Sequence, residues 1–291
     1  MNDKHQGETA AIAVIDAPSA SITLARFLLD GPVLPLVTDS VRVAEAVRHA
    51  VMSRFGAWGR KHPAQAARYL IHRPGKPDRY ASPVLAGKDA DGRPLPAHGH
   101  AHYLPTSESG DPRRISHVTV FARAGFNPDD VASLTGLRVI RVPDLELRTQ
   151  LVGLGRPADF TAPLLGPSAV WMSATPFIGP AHVGRHHRER YLRKSLRREL
   201  RRMVELGYLP GGVVPQVESV PDSSDLRPGC PRGIEYRRGR SRAGDDGYSR
   251  PFGLCVLSFP QAVRGPLCAG YASHFGLGLF LPLPDEARAG T

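Results

Sequence analysis

Apolar positions along the first 160 residues change period several times, and each change predicts an element. Over residues 21–30, Ile22, Leu24, Phe27 and Leu29 lie along a strand, closed by the glycine and prolines of 31–35. Thr38 and Asp39 offer caps for a helix running to about Trp58, with Val43, Ala46, Val47, Ala50 and Val51 on one face. A Pro- and Gly-rich loop spans about 74–96. Strands are expected at 98–104 and at 115–122, where Ile115, His117, Thr119 and Phe121 alternate with Val118 and Val120. Asn127, Pro128, Asp129 and Asp130 cap a short helix. A further strand falls at 138–142 or 150–154. The order strand, helix, strand, strand, helix, strand is that of a ferredoxin-like unit.

The order partly recurs. A strand is expected at 169–177, a long helix at 185–206, strands at 213–220 and 233–238, a charged loop at 239–250, and strands at 252–259 and 271–281. The second helix of this half is weak, and a boundary fits the Pro and Gly content of 156–167. The fold class is therefore α+β: two tandem ferredoxin-like (RRM-like) domains, 21–160 and 168–291, after a flexible leader at 1–20. The second domain carries a C-terminal glycine-rich segment.

Charge sharpens this picture. The formal net charge is +11 over 291 residues, and the pI near 10.1 points to a polyanionic partner. Residues 185–202 hold nine Arg or Lys against two Glu. Leu192, Leu196, Leu200 and Met203 form a narrow apolar stripe there, and Arg190, Lys194, Arg197 and Arg201 stand opposite. Such a helix can be a solvated face. Unrelieved like charges repel at i,i+4 spacing, and phosphates relieve that repulsion, so we read the helix as a nucleic-acid contact. No run of about 18 apolar residues exists to span a membrane. Cys230, Cys255 and Cys268 form no CxxC pair and no disulfide framework. A cytoplasmic location is expected.

Histidine supplies the candidate chemistry. His98, His100 and His102 are two apart, so a strand sets them on one face. A metal hydrolase reading rests on these three alone, because no later acidic ligand set follows; the expected metal and cofactor complement is none. Acid–base chemistry near neutral pH is the other reading. His117 alternates inside an apolar strand as a sheet histidine. His186 and His187 belong to the first turn of the basic helix. His274 lies in a run, 265–280, broken by Gly270, Gly276 and Gly278, where glycine permits close backbone approach.

Taken in order, His100, His102 and Tyr103, then the 115–122 segment, then Arg190, Tyr191 and Leu192, then the 270–280 segment with its glycines and His274 resemble the CRISPR-associated RAMP superfamily. The match is to the Csb-type protein of type I-G (formerly I-U) systems, over about residues 33–283, its repeat-cleaving endoribonuclease half. The handle-binding half of that fused form is not expected here, since only a short leader precedes the first strand. The resemblance implies a metal-independent endoribonuclease that cuts precursor crRNA within the repeat, the 2′-OH attacking phosphorus to leave a 2′,3′-cyclic phosphate. His102 would be the acid–base histidine, with His100 second, His274 third and Tyr103 positioning it. His187, Arg190, Arg193, Lys194, Arg197 and Arg201 would hold RNA, and Gly270, Gly276 and Gly278 would admit its backbone. Other type I effector subunits are expected partners, a membrane is not. A non-catalytic crRNA-binding subunit is the alternative, and a His-dependent metal hydrolase the second.

Overall fold

A computed structural model describes residues 22–72, 75, 77–95, 99–181, 187–213, 215–220, 229–241 and 247–283. In the first half β1 (Leu24–Asp30) leads to α1 (Ser40–Lys61). A short hairpin of β2 (Leu70–Ile71) and β3 (Arg79–Tyr80) and the single-turn α2 (Pro83–Ala86) follow. Then come β4 (His102–Thr106), β5 (His117–Phe121), α3 (Pro128–Thr135), β6 (Val139–Val142) and β7 (Leu145–Gly155). The sheet runs β4-β5-β1-β7-β6, antiparallel throughout. The supposed loop at 74–96 thus contains β3 and α2, which Ser82 caps by accepting from Leu85 N–H. Both alternatives for the further strand form, as the hairpin β6–β7.

Caps divide as the local chemistry dictates. Asn127 accepts from the N–H groups of Asp129 and Asp130, and the Asp130 carboxylate returns to Asn127 N–H, a complete capping box. Asp39 precedes α1, but its side chain makes no cap bond and pairs with Arg237 at 3.2 Å instead.

The second half holds β8 (Pro167–Ser173), β9 (Phe177–Ile178), α4 (Arg188–Glu205), β10 (Gln216–Val220), β11 (Phe252–Arg264), β12 (Leu267–Cys268) and β13 (Leu279–Pro282). Its main sheet runs β10-β11-β8-β13-β12. Counting β8, β10, β11 and β13 as first to fourth, these strands lie in the same order (second, third, first, fourth) as β4, β5, β1 and β7 do around theirs. Where a second helix would stand, between β11 and β13, the described residues show a 3₁₀ turn at Ser273–Phe275.

Two expected strands are corrected. At 233–238 the chain makes a 3₁₀ turn, Gly233–Glu235, because the Glu235 carboxylate captures the Arg232 N–H at 2.6 Å. At 271–281 only Leu279–Pro282 is strand. Gly270, Ala272, Gly276 and Gly278 all have positive φ, which a pleated strand cannot hold.

Among the described residues, three large apolar clusters organise the two sheets, beside a small one of Ile71, Ala81 and Ala86. In one, Val43, Val47, Val51 and Phe55 of α1 pack on the first sheet. In another, Leu192, Leu196 and Leu200 of α4 pack with Trp171 and Leu257 on the second. Each such leucine contributes about 1.5–3 kcal/mol on burial, which is why so cationic a segment stays helical. The third cluster joins Leu24, Leu104 and Phe121 of the first sheet to Leu164, Leu165, Cys268 and Leu279. It turns one face of β4 toward the second half. No helix among the described residues is long and apolar enough to cross a membrane.

Candidate active site

Edge strand β4 opens the site. His102 pairs in register with Phe121, and strand alternation sends both side chains to the face that meets the second half. His100 precedes the strand by one pleat. His274 arrives from the 3₁₀ turn, held between left-handed Ala272 and Gly276. Its ring slides between the other two: centroids lie 3.8 Å from His100 and 3.7 Å from His102, with interplanar angles of 6° and 28°.

Backbone carbonyls decide the tautomers. Nδ1 of His102 is 3.2 Å from the His100 carbonyl oxygen, and Nδ1 of His274 is 3.2 Å from that of Ala101. A carbonyl only accepts, so each Nδ1 carries the hydrogen and each Nε2 keeps its lone pair when the ring is neutral. The same geometry argues against the chelate reading of this cluster. Metal ligation needs lone pairs that converge in the ring planes, whereas these rings lie face to face. No group of three or more His, Cys, Asp or Glu among the described residues could hold a metal ion. His98 lies outside the described residues.

A cleft of about 110 Å³ opens beside the stack. His102, His274 and Ser273 line it, with Phe121 and Arg123 from the β5 end, Glu199 and Arg202 from α4, and Tyr208 after it. The Arg123 guanidinium sits 4.3 Å over the Tyr208 ring and 5.3 Å over Phe121, a rigid cation–π clamp. Glu199 accepts the Gly270 N–H, tying the basic helix to the glycine-rich turn. Burial pushes the Glu199 carboxyl up, against that hydrogen bond and nearby Arg202.

Burial, followed by His274, Arg123 and His100, holds the His102 imidazole well below its ordinary 6.5. The unfolded chain therefore binds more protons than the folded one below pH 6.5. This contribution to stability is present above pH 6.5 and is lost as pH falls through the lowered folded value. Urea titrations from pH 7.5 to 5 should show the midpoint falling with pH, and His102→Gln should flatten that fall.

The other expected residues are placed as follows. Tyr103 is corrected: it points to the opposite face of β4, is 1% exposed, and donates to the Leu85 carbonyl at 3.0 Å. Its hydroxyl is buried in the core, on the face of β4 away from His102. Arg190, Lys194, Arg197 and Arg201 are exposed on α4, across the helix from the cleft-lining flank of Glu199, Arg202 and Met203. His187 is exposed at the head of that helix, and Arg193 pairs with Glu189 at 3.7 Å. Gly270 lines the cleft. At the other two glycines this chain itself approaches closely: an added Cβ at Gly276 would meet Pro105 Cδ at 2.8 Å, and at Gly278 the Ala269 carbonyl oxygen at 1.8 Å.

Arg123, Arg202, Glu199, Tyr208 and Ser273 are the residues that sequence reasoning missed. Arg123 was findable, since it continues the 117, 119, 121 alternation toward the face of His102. Tyr208 gave no signal, because it reaches the cleft only after the left-handed Gly207 turns the chain.

No protein-family model matches the chain, and no curated protein does. Among solved structures, "CRISPR associated protein Cas6" aligns at 10% identity over 91% of this chain and 100% of that one, with TM-score 0.42. "Crystal structure of Cas6b" gives 10% identity, 90% and 99% coverage, and TM-score 0.44. A Cas6-related gene product from Pyrococcus furiosus gives 12%, 89% and 97%, and 0.41. At these values the likeness assigns neither an activity nor a residue, which are argued from the cleft.

Proposed function

We propose that the chain is a metal-independent endoribonuclease that binds CRISPR repeat RNA and cuts it once. The observation that carries this is the cleft itself, where two imidazoles whose Nδ1 atoms face backbone carbonyls stand beside two guanidiniums. His102, neutral at pH 7, takes the proton of the 2′-OH as that oxygen attacks the adjacent phosphorus. Arg123 and Arg202 face the phosphoryl oxygens as charge builds on them. The bond from phosphorus to the 5′-oxygen breaks, His274 in its protonated form gives its Nε2 proton to that oxygen to complete the 5′-OH, His102 is left protonated, and a 2′,3′-cyclic phosphate remains. No cofactor takes part. The sequence resemblance supplies the substrate: precursor crRNA, met by the basic face of α4, with type I effector subunits as further partners.

The low exposure of His102, 6%, favours a second reading, a crRNA-binding subunit that does not cut. The test is incubation with labelled repeat RNA in excess EDTA, beside substrates carrying one 2′-deoxy nucleotide at each candidate position. One discrete cut, abolished by one 2′-deoxy substitution, is the expected result. Binding without a cut moves the assignment to the second reading, and a cut that EDTA abolishes sinks metal independence.

A further inference from the structure

Among the described residues, Glu199 is the carboxylate that lines the cleft, beside Arg123 and Arg202. It is half-buried. A negative charge here opposes an entering phosphate, and burial makes that charge costly, which pushes the carboxyl up. Arg202 draws it down as a nearby charge, but among the described residues Glu199 makes no ion pair. Its hydrogen bond is to backbone, from the Gly270 N–H.

That N–H belongs to the residue from which the His274 turn starts. Gly270 has φ 91, and its carbonyl accepts the Ser273 N–H at 3.2 Å. Against β9 there is no slack. A Cβ at Gly270 would meet the Ile178 carbonyl oxygen and the Phe177 ring at 2.7 Å, and Tyr271 N–H donates to the same oxygen at 3.0 Å. The far end of the turn is held by the chain between β8 and β9. Thr175 donates to the Gly276 carbonyl at 2.8 Å, and the Pro176 carbonyl accepts the Gly278 N–H at 2.9 Å. The near end is held by β9 and by Glu199. The place of Glu199 is set in turn by Leu196 and Leu200 of α4, both buried on the second sheet.

We propose that Glu199 is a positioning residue for the cleavage reaction, its bond to Gly270 fixing the turn that aims His274 at the 5′-oxygen. The inference rests on the endoribonuclease reading above, in which His274 gives that oxygen its proton. A charge-assisted bond to backbone is stronger than a neutral one, which suits a clamp on a turn rich in glycine, the residue with most conformational freedom to lose. Glu199 itself moves no proton and holds no substrate.

Glu199→Ala and Glu199→Gln test this, each first checked for a cooperative urea transition. The amide oxygen of Gln can still accept from Gly270 N–H, so Ala alone removes the bond. The readouts are hydrogen–deuterium exchange across 270–278 in the protein without RNA, single-turnover cleavage of repeat RNA, and affinity for repeat RNA made non-cleavable by 2′-deoxy substitution. Glu199→Ala should speed exchange in that segment and slow cleavage by about 10²-fold, the cost of misplacing a catalytic group by about 1 Å, without weakening RNA affinity. Glu199→Gln should keep exchange slow and recover most of the cleavage rate. Unchanged exchange in Glu199→Ala, or cleavage by it at the wild-type rate, overturns the proposal. So does a Gln variant as slow in cleavage as the Ala variant, because the charge or proton of Glu199 would then be the working part. Lost RNA affinity in Glu199→Ala overturns it too, since Glu199 would then hold the RNA. A wild type that cuts no repeat RNA sinks the proposed function instead, and exchange then decides by itself whether Glu199 fixes the turn.

Discussion

His102→Ala is expected to slow single-turnover cleavage of repeat RNA by about 10²–10⁴-fold, the usual share of one acid–base group, while leaving affinity for the non-cleavable RNA nearly unchanged. Affinity should survive because salt-linked binding comes from cations, and the lowered pKa keeps His102 neutral near pH 7. The wild-type rate should rise with pH through the lowered value, where the ring loses its proton, and level off below pH 6.5. The variant should lose that limb. His274→Ala should follow His102→Ala closely, since both rings line the cleft, whereas His100→Ala should cost less, because its ring is not among the lining groups. That ranking reverses the order of His100 and His274 drawn from sequence. Cleavage at the wild-type rate by a folded His102→Ala protein would remove His102 from the mechanism.

Periodicity made much of this site legible. The two-residue spacing of His100 and His102 placed them on one face, and the Leu192, Leu196 and Leu200 stripe gave α4 its orientation. The same alternation sends Tyr103 to the opposite face, so its assignment was at odds with the pattern that recommended its neighbour. The third imidazole was legible only as a residue type. His274 reaches β4 through the docking of Leu24, Leu104 and Phe121 against Cys268 and Leu279, a tertiary event that no local period encodes. The turn that carries it depends on Ala272 at φ 58, and nothing about an alanine announces a left-handed backbone. Glycine density in 270–280 did mark close approach, by the Pro105 ring at Gly276 and by the Ala269 backbone at Gly278.

That backbone approach yields the second large effect. Gly278→Ala should destabilise the fold far more than Gly207→Ala, although both glycines have positive φ, 57 and 70. At Gly207 an added Cβ meets nothing within 4 Å, so the cost is the left-handed penalty alone, about 1–2 kcal/mol. At Gly278 the Cβ would fall 1.8 Å from the Ala269 carbonyl oxygen, and two backbone bonds oppose relief: Ala269 N–H to the Gly278 carbonyl at 3.0 Å, and Gly278 N–H to that of Pro176 at 2.9 Å. Overpacking adds roughly 1–3 kcal/mol to the same left-handed penalty. Relief requires moving the segment between β12 and β13, and that segment carries His274. Because misplacing a catalytic group by about 1 Å can cost 10²-fold, cleavage should fall in whatever Gly278→Ala protein remains folded, while Gly207→Ala keeps its rate. Urea unfolding measures the first difference and single-turnover cleavage the second. Equal destabilisation by the two substitutions would show that the glycine-rich turn is not clamped by its own backbone.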